Sequence, residues 1–518
     1  RGVGTLRLGI VGPSDKPVFS VQASVPNIRW NEYRASNVNV DAVYADKTVE
    51  FENITGQALG GRVAVRGVVE MSDKATGLVM AGSASGVELG QVSQLKQANL
   101  KGSATGKFTV KGTLNSPELN ADVQVSRLNF NNVVSRNVVT QISVTKDRLK
   151  LHKLTAAMAN GVVRLSGDVT SKKIDIQASA TGVDVSMLQK SLEMDGYGGI
   201  VNFQGRISGS VSGPAVTGNG EVFCGRYKDL DFDYARARID ATSQSVAFKD
   251  AVVRILPAEI ELSGQVTGIG SQSPGIDLNA KISEAQAERI LPLLNVNADV
   301  SGTVEGHLAV HGSMPDLTAN GVLYLTDGAV IGYPVAKAQA SFDYAKGQLH
   351  LTDLVARSDG AGLNAEGTVD DKGNLAFSFA ANDVSLVRLS ERTKPYAVLA
   401  GTADFNGSVT GNIDHPNIIA NVTADSPVVN TVHFDKFFAD VDWNGTAFSI
   451  SKAELTSDKG KLSIDKSVYD SKARTISVQG GEIKDFSYPV VYTLAEESPY
   501  MASSDAQGMR SLLARLRK

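Results

Sequence analysis

The chain has 518 residues, 51 Lys+Arg against 55 Asp+Glu, a single cysteine and 50 glycines, about one residue in ten. Without a three-residue glycine period it is not collagen-like, and with 42% hydrophobic residues and a net charge of -4 it is not a disordered chain. Its balanced charge gives no basic field for a phosphate backbone, so nucleic acid is not an expected partner, and no window approaches 18 consecutive apolar residues.

The opening stretch, RGVGTLRLG, has neither a start Met nor an apolar signal region, and reads as part of a soluble chain that has been processed or excised from a longer one. A repeat of about one hundred residues then runs through the sequence. Pro17, Pro117, Pro214, Pro315 and Pro416, spaced 100, 97, 101 and 101 apart, each open a segment of period two. Every second residue after each proline is apolar, and most are small. These series are Phe19, Val21, Ala23, Val25; Leu119, Ala121, Val123, Val125; Val216, Gly218, Gly220, Val222; Leu317, Ala319, Gly321, Leu323; and Ile418, Ala420, Val422, Ala424.

A second landmark is a glycine in a short apolar strand. Gly67, Gly167, Gly264 and Gly367 hold this place, and the fifth copy has Ser467 instead. A third is a stretch of different period: GVELGQVSQL, GVDVSMLQKSL, SEAQAERILPLL, NDVSLVRLSER and KDFSYPVVYTLAE. The first four predict one to three turns of helix, while Pro489 interrupts the last. The copies accordingly span 1–100, 101–197, 198–299, 300–399 and 400–497. A basic tail or truncation point follows at 498–518, where Met509, Leu512, Leu513 and Leu516 line one side of a capping or membrane-surface helix.

Between the landmarks apolar residues alternate with Lys, Thr, Gln, Ser, Asp and Arg. The second copy shows this at Phe108 and Val110, Leu149 and Leu151, and Ile174 and Ile176; the fourth shows it at Leu308 and Val310, and at Phe377 and Phe379. Strict alternation predicts antiparallel sheet with one dry and one wet face, six or seven strands per copy. The dry face is Val, Ala, Gly and Leu with 6% aromatics overall. Such side chains are small for the interior of a two-sheet sandwich about 10 Å thick. The segments joining copies, KQANLKGSATG and LNVNADVSGTVEG, read as strand rather than linker. A mostly β fold with one elongated, shared sheet is therefore favoured over five immunoglobulin-like beads, for which the 100-residue period is equally natural.

The recurring order of a glycine-ended strand, a short spacer, a proline and an apolar-alternating strand, as in GKFTVKGTLNSPELNADVQV, GHLAVHGSMPDLTANGVLYL and ADFNGSVTGNIDHPNIIANVTA, resembles the TamB branch of the AsmA-like envelope proteins. It covers all five copies. The resemblance implies a taco-shaped sheet with a hydrophobic groove and phospholipid transport between inner and outer membranes. It further implies a periplasmic location as part of an inner-membrane-anchored protein, and partnership with an outer-membrane β-barrel assembly protein. At about 4.8 Å per strand, one copy would advance roughly 30 Å and five roughly 150 Å. The expected groove lining is Val21, Ala23, Val25, Phe108, Val110, Leu119, Ala121, Val123, Val125, Leu149, Leu151, Ile174, Ile176, Val216, Val222, Cys224, Leu308, Val310, Leu317, Leu323, Phe377, Phe379, Ile418, Ala420 and Val422.

Chemical sites have plainer explanations. His307 and His311 lie four apart on a strand, but Lys107 and Lys111 hold the matching places, which marks the wet face rather than a metal site. Cys224 continues an inward series and reads as a small apolar residue, not a nucleophile. GIGSQSPG at 268–275 matches no phosphate-binding pattern, and Asp370 and Asp371 occupy a turn. The sequence thus predicts no enzyme, cofactor or metal. The alternative function is a structural stalk of tandem immunoglobulin-like domains in a bacterial surface adhesin.

Overall fold

The computed structural model describes all residues except 1–2, 31–32, 73–75, 93–94, 96–98, 194, 229, 291–298, 314, 331–332, 394–397, 459, 471–474 and 486–518. Of the fifth helix-like stretch only Lys484, which ends a strand, and Asp485 are described, and the basic tail lies outside the described residues. The chain is mostly β and divides into two units, Arg1–Leu256 with Glu261–Ser271, and Pro257–Ile260 with Gln272–Lys518.

Each unit is a long antiparallel sheet in which a strand pairs with the next long strand along the chain. In the first, Thr5–Val11 pairs with Val18–Trp30, which pairs with Tyr33–Ala45, and so on to Ser245–Ile255. In the second, the same order runs from Gly275–Gln286 to Gly460–Asp470. The Greek-key exchange between two sheets that an immunoglobulin sandwich needs does not occur in these ladders. A small three-stranded sheet, Leu399–Ala400, Val428–Val429 and Val432–His433, is added in the second unit.

Six long strands separate successive helical turns. These turns are Leu89–Gln91, Val185–Met187 followed by Gln189–Leu192, Ala287–Ile290, and Leu386–Thr393. Among the described residues only the last reaches two turns of α-helix. In GVELGQVSQL the described residues include a three-residue 3-10 turn, Leu89–Gln91, and a helical Leu95. The helical turns form a local second layer at one end of the strands. Leu89 packs on a cluster around Ala104, Val125, Val138 and Ala156, and Leu386 on Ala403, Val422 and Ala424.

The landmark glycines Gly67, Gly167 and Gly367 sit at bulges. Phe51 pairs with Gly67 but Ile54 with Val65, so the first strand carries one extra residue. The same shift separates Leu151–Gly167 from Leu154–Leu165, and Leu351–Gly367 from Leu354–Ala365. At Gly167 the backbone takes φ +144° and comes so close to the next strand that a Cβ would run into the Asp175 carbonyl oxygen. Ser467 stands where the fifth copy lacks this glycine, and there the ladder from Ala447 to Ser457 runs without a shift. Gly182 offers a contrast: its φ is +66° but nothing lies within 4 Å of where a Cβ would stand. Gly182→Ala should then cost about 1 kcal/mol, the left-handed penalty alone, and Gly167→Ala about 2 kcal/mol or more, because the neighbouring strand must also move. Urea denaturation of the two variants side by side checks this order.

Candidate functional site

Residues facing each other across an antiparallel ladder share a face, so the register can be followed from strand to strand. Starting from Leu6, one cross-strand row of the first unit runs Ala23, Val40, Ile54, Val65, Gly82, Phe108, Ala121, Ile142, Leu151, Gly167, Ile176, Ile207, Val216, Ala241 and Val246. Sixteen strands contribute and none interrupts it with a polar side chain. At about 4.8 Å per strand the row is about 70 Å long along the sheet. The second unit has a corresponding row of twelve: Ala280, Leu308, Gly321, Phe342, Leu351, Gly367, Phe377, Val409, Ile418, Trp443, Phe448 and Tyr469.

The other expected lining residues fall on neighbouring rows of the same face. Val21 leads through Ala42, Phe51, Gly67 and Met80 to Val110, Leu119, Val144, Leu149, Val169 and Ile174. Val25 pairs with Val38, Val125 with Ala104 and Val138, and Val222 with Val201 and Ala235. In the second unit Val310 pairs with Ala319, Leu317 with Gly312, Leu323 with Gly306 and Ala340, Phe379 with Ala365 and Gly407, Ala420 with Val441, and Val422 with Phe405. Val123 pairs with Thr140, whose buried hydroxyl has no partner and is the polar break in its row. Cys224 departs from the alternation: it lies at a bulge with φ +47° and is exposed, so the regular series stops at Val222.

This face is one side chain deep. Among the described residues no large side chain is under 2% exposed, and the buried hydrophobics are mostly Ala and Val. Several glycines serve as seats for rings on the next strand. A Cβ on Gly82 would come within 2.6 Å of Phe108, and one on Gly321 within 3.0 Å of Phe342. The rings of Phe108 and Phe342 thereby rest over glycine backbone rather than over another side chain.

The opposite face is polar and ion-paired. Arg148 binds Asp168 at 2.7 Å and Arg206 binds Asp175 at 2.6 Å; Lys452 lies 3.0 Å from Asp440. His311 is 2.9 Å from Asp277, its cross-strand neighbour, and His307 faces Lys281 and Val322. Among the described residues no group of three His, Cys, Asp or Glu is arranged to hold a metal ion, and no helix is long and apolar enough to cross a membrane. A comparison with family models, characterised proteins and solved structures finds no match.

Hydrogen bonds from Arg148 and Arg206 hold the Asp168 and Asp175 carboxyls below the usual carboxylate range. A depressed carboxyl contributes stability that is fully present above its unfolded pKa and disappears as pH falls through the folded one. The pairs are solvated, so each contribution is small. Urea midpoints of the intact chain should be flat from about pH 8 to pH 5 and fall below about pH 4. An Arg148→Gln, Arg206→Gln double variant should lose part of that acid slope.

Proposed function

We propose that the chain is a TamB-like, bridge-like lipid-transport protein that carries phospholipid acyl chains along its apolar sheet face between inner and outer membranes. The observation that supports this most directly is the unbroken cross-strand row, sixteen strands in one unit and twelve in the other. Monomeric soluble proteins seldom expose apolar patches beyond a few hundred Å² unless something binds there. In this reading the sheet curls into a taco-like section, helped by bulges that bend strands and raise twist. Lipid supplies the missing second layer, and headgroups stay wet at the strand ends.

The mechanism needs no bond made or broken. Exposing an acyl chain to water costs about 0.8 kcal/mol per CH₂, so two chains hold a phospholipid in its bilayer by tens of kcal/mol. A lining that is equally apolar at every step offers equivalent contact all along and so flattens the barrier to lateral movement. Because the contact is non-directional, selectivity among acyl chains is loose. In the same reading the protein works in the periplasm, is tied to both membranes through flanking segments and supports an outer-membrane β-barrel assembly protein.

Purified chain should carry phospholipid, detected by mass spectrometry of an organic extract, and should take up labelled lipid from vesicles. Val123→Asp and Leu323→Arg each place a charge within a row, and should lower lipid content and transfer by about tenfold while leaving the far-ultraviolet strand signal unchanged. Lipid-free wild-type material that takes up no label would sink the proposal.

A further inference from the structure

One cavity lies away from these rows. Asn137 enters the left-handed region at φ +50°, and its strand bulges between Arg136 and Val139 against the strand Arg148–Met158. The helical segment 185–192 is tied back over this place, the Ser191 hydroxyl donating to the Asn132 carbonyl at 3.0 Å. Between them is a half-open cavity of about 500 Å³, within the range of small-molecule sites. Val134, Met158, Val162, Met187 and Leu188 supply its apolar walls, and Arg136 is the one charged residue on its lining.

Arg136 also stands directly opposite Arg127 in the ladder. Like charges in that position repel, and neither arginine has an ion-pair partner among the described residues. Elsewhere on the sheet Arg148, Arg206 and Arg226 each hold an aspartate. An anion placed between two guanidinium groups would remove the repulsion and accept paired hydrogen bonds. The two methionines give walls that adapt to a flexible chain.

We infer that this cavity binds the anionic head of an amphiphile, a carboxylate or a phosphate, together with the start of its single apolar chain. Arg136 on the lining holds the head, with its cross-strand neighbour Arg127 as the second cation; Met158, Met187 and Leu188 enclose the chain. The site differs in kind from the apolar rows, which hold chains without recognising heads, so either can fail without the other.

Calorimetric titration of the full chain with dodecanoate and with dodecyl phosphate, below their micelle concentrations, tests it. The expected result is one saturable site per chain. Its affinity should fall about tenfold or more in Arg136→Gln and in Arg127→Gln, the loss of a charged hydrogen bond, and should be largely kept in Arg136→Lys. Dodecanol, dodecyltrimethylammonium and inorganic phosphate should each bind at least about tenfold more weakly than dodecyl phosphate. A parallel titration with lysophosphatidylglycerol identifies the source: binding there as tight as dodecyl phosphate assigns a membrane lipid, and preference for dodecanoate assigns a free fatty acid. Relief of repulsion should leave the melting temperature of either Gln variant unchanged or higher. Equal affinity for dodecanol and dodecanoate, or wild-type binding in both folded Gln variants, overturns the proposal. Uptake along the rows alone would be multiple, unsaturated and indifferent to Arg136.

Discussion

Everything in this protein depends on strand register. With a side-chain period of two, a slip of one residue would turn a whole strand's apolar set to the wet face, and a row sixteen strands wide would be cut. The bulges preserve it. Glu52 is passed over both where its strand meets Tyr33–Ala45 and where it meets Gly61–Met71, so the extra residue is absorbed and the apolar positions resume at Ile54. His152 and Thr352 hold the corresponding places beside Leu151 and Leu351. The close approach at Gly67, Gly167 and Gly367 is the other half of the same device.

A sheet with one layer of side chains has little apolar surface fully withdrawn from water. Most side chains on the dry face are half-buried, shielded by neighbours within the face, and deep burial occurs mainly where a helical turn or the small three-stranded sheet folds over, as around Val422 and Ala424. Cohesion therefore rests on continuous backbone ladders and lateral packing rather than on a central core. Ion pairs across strands on the wet face add solubility and negative information: they make the wrong face expensive to bury, and so help keep the dry face facing one way.

Much of this was legible. Alternation around Phe108, Leu119 and Ile174 located strands and assigned their faces, because a half-buried strand imposes that pattern directly. The glycine landmark was legible as a position but not as a bulge. Its signal was present in Leu151 and Leu154, three apart where alternation would put two. Cys224 was misplaced in its series because a left-handed residue can be Cys, Asn, Asp or Lys as tolerated locally, and composition does not announce it. Low aromatic content and many glycines mark a dry face too shallow for a sandwich interior. The structure adds a second use, since glycines such as Gly82 and Gly321 also receive rings from the next strand. The cavity at Arg136 was invisible: it needs a bulge at Asn137 and a segment folded back from fifty residues later.

The two faces and the off-row cavity divide recognition in a way that follows from the chemistry of their linings. A surface of Val, Ala, Leu and Gly distinguishes methylene from water but hardly one chain from another, so an occupant could slide along it with little change in energy. The arginine on the cavity lining, Arg136, would do the reverse in the proposed binding, fixing one charged group at one point and opposing movement. Smooth passage and fixed binding are thus incompatible in a single lining. The arginines Arg127 and Arg136 stand outside the cross-strand rows, and the rows themselves run without a charge from Leu6 to Val246 and from Ala280 to Tyr469, which is the separation that the proposed passage and the proposed binding would each require.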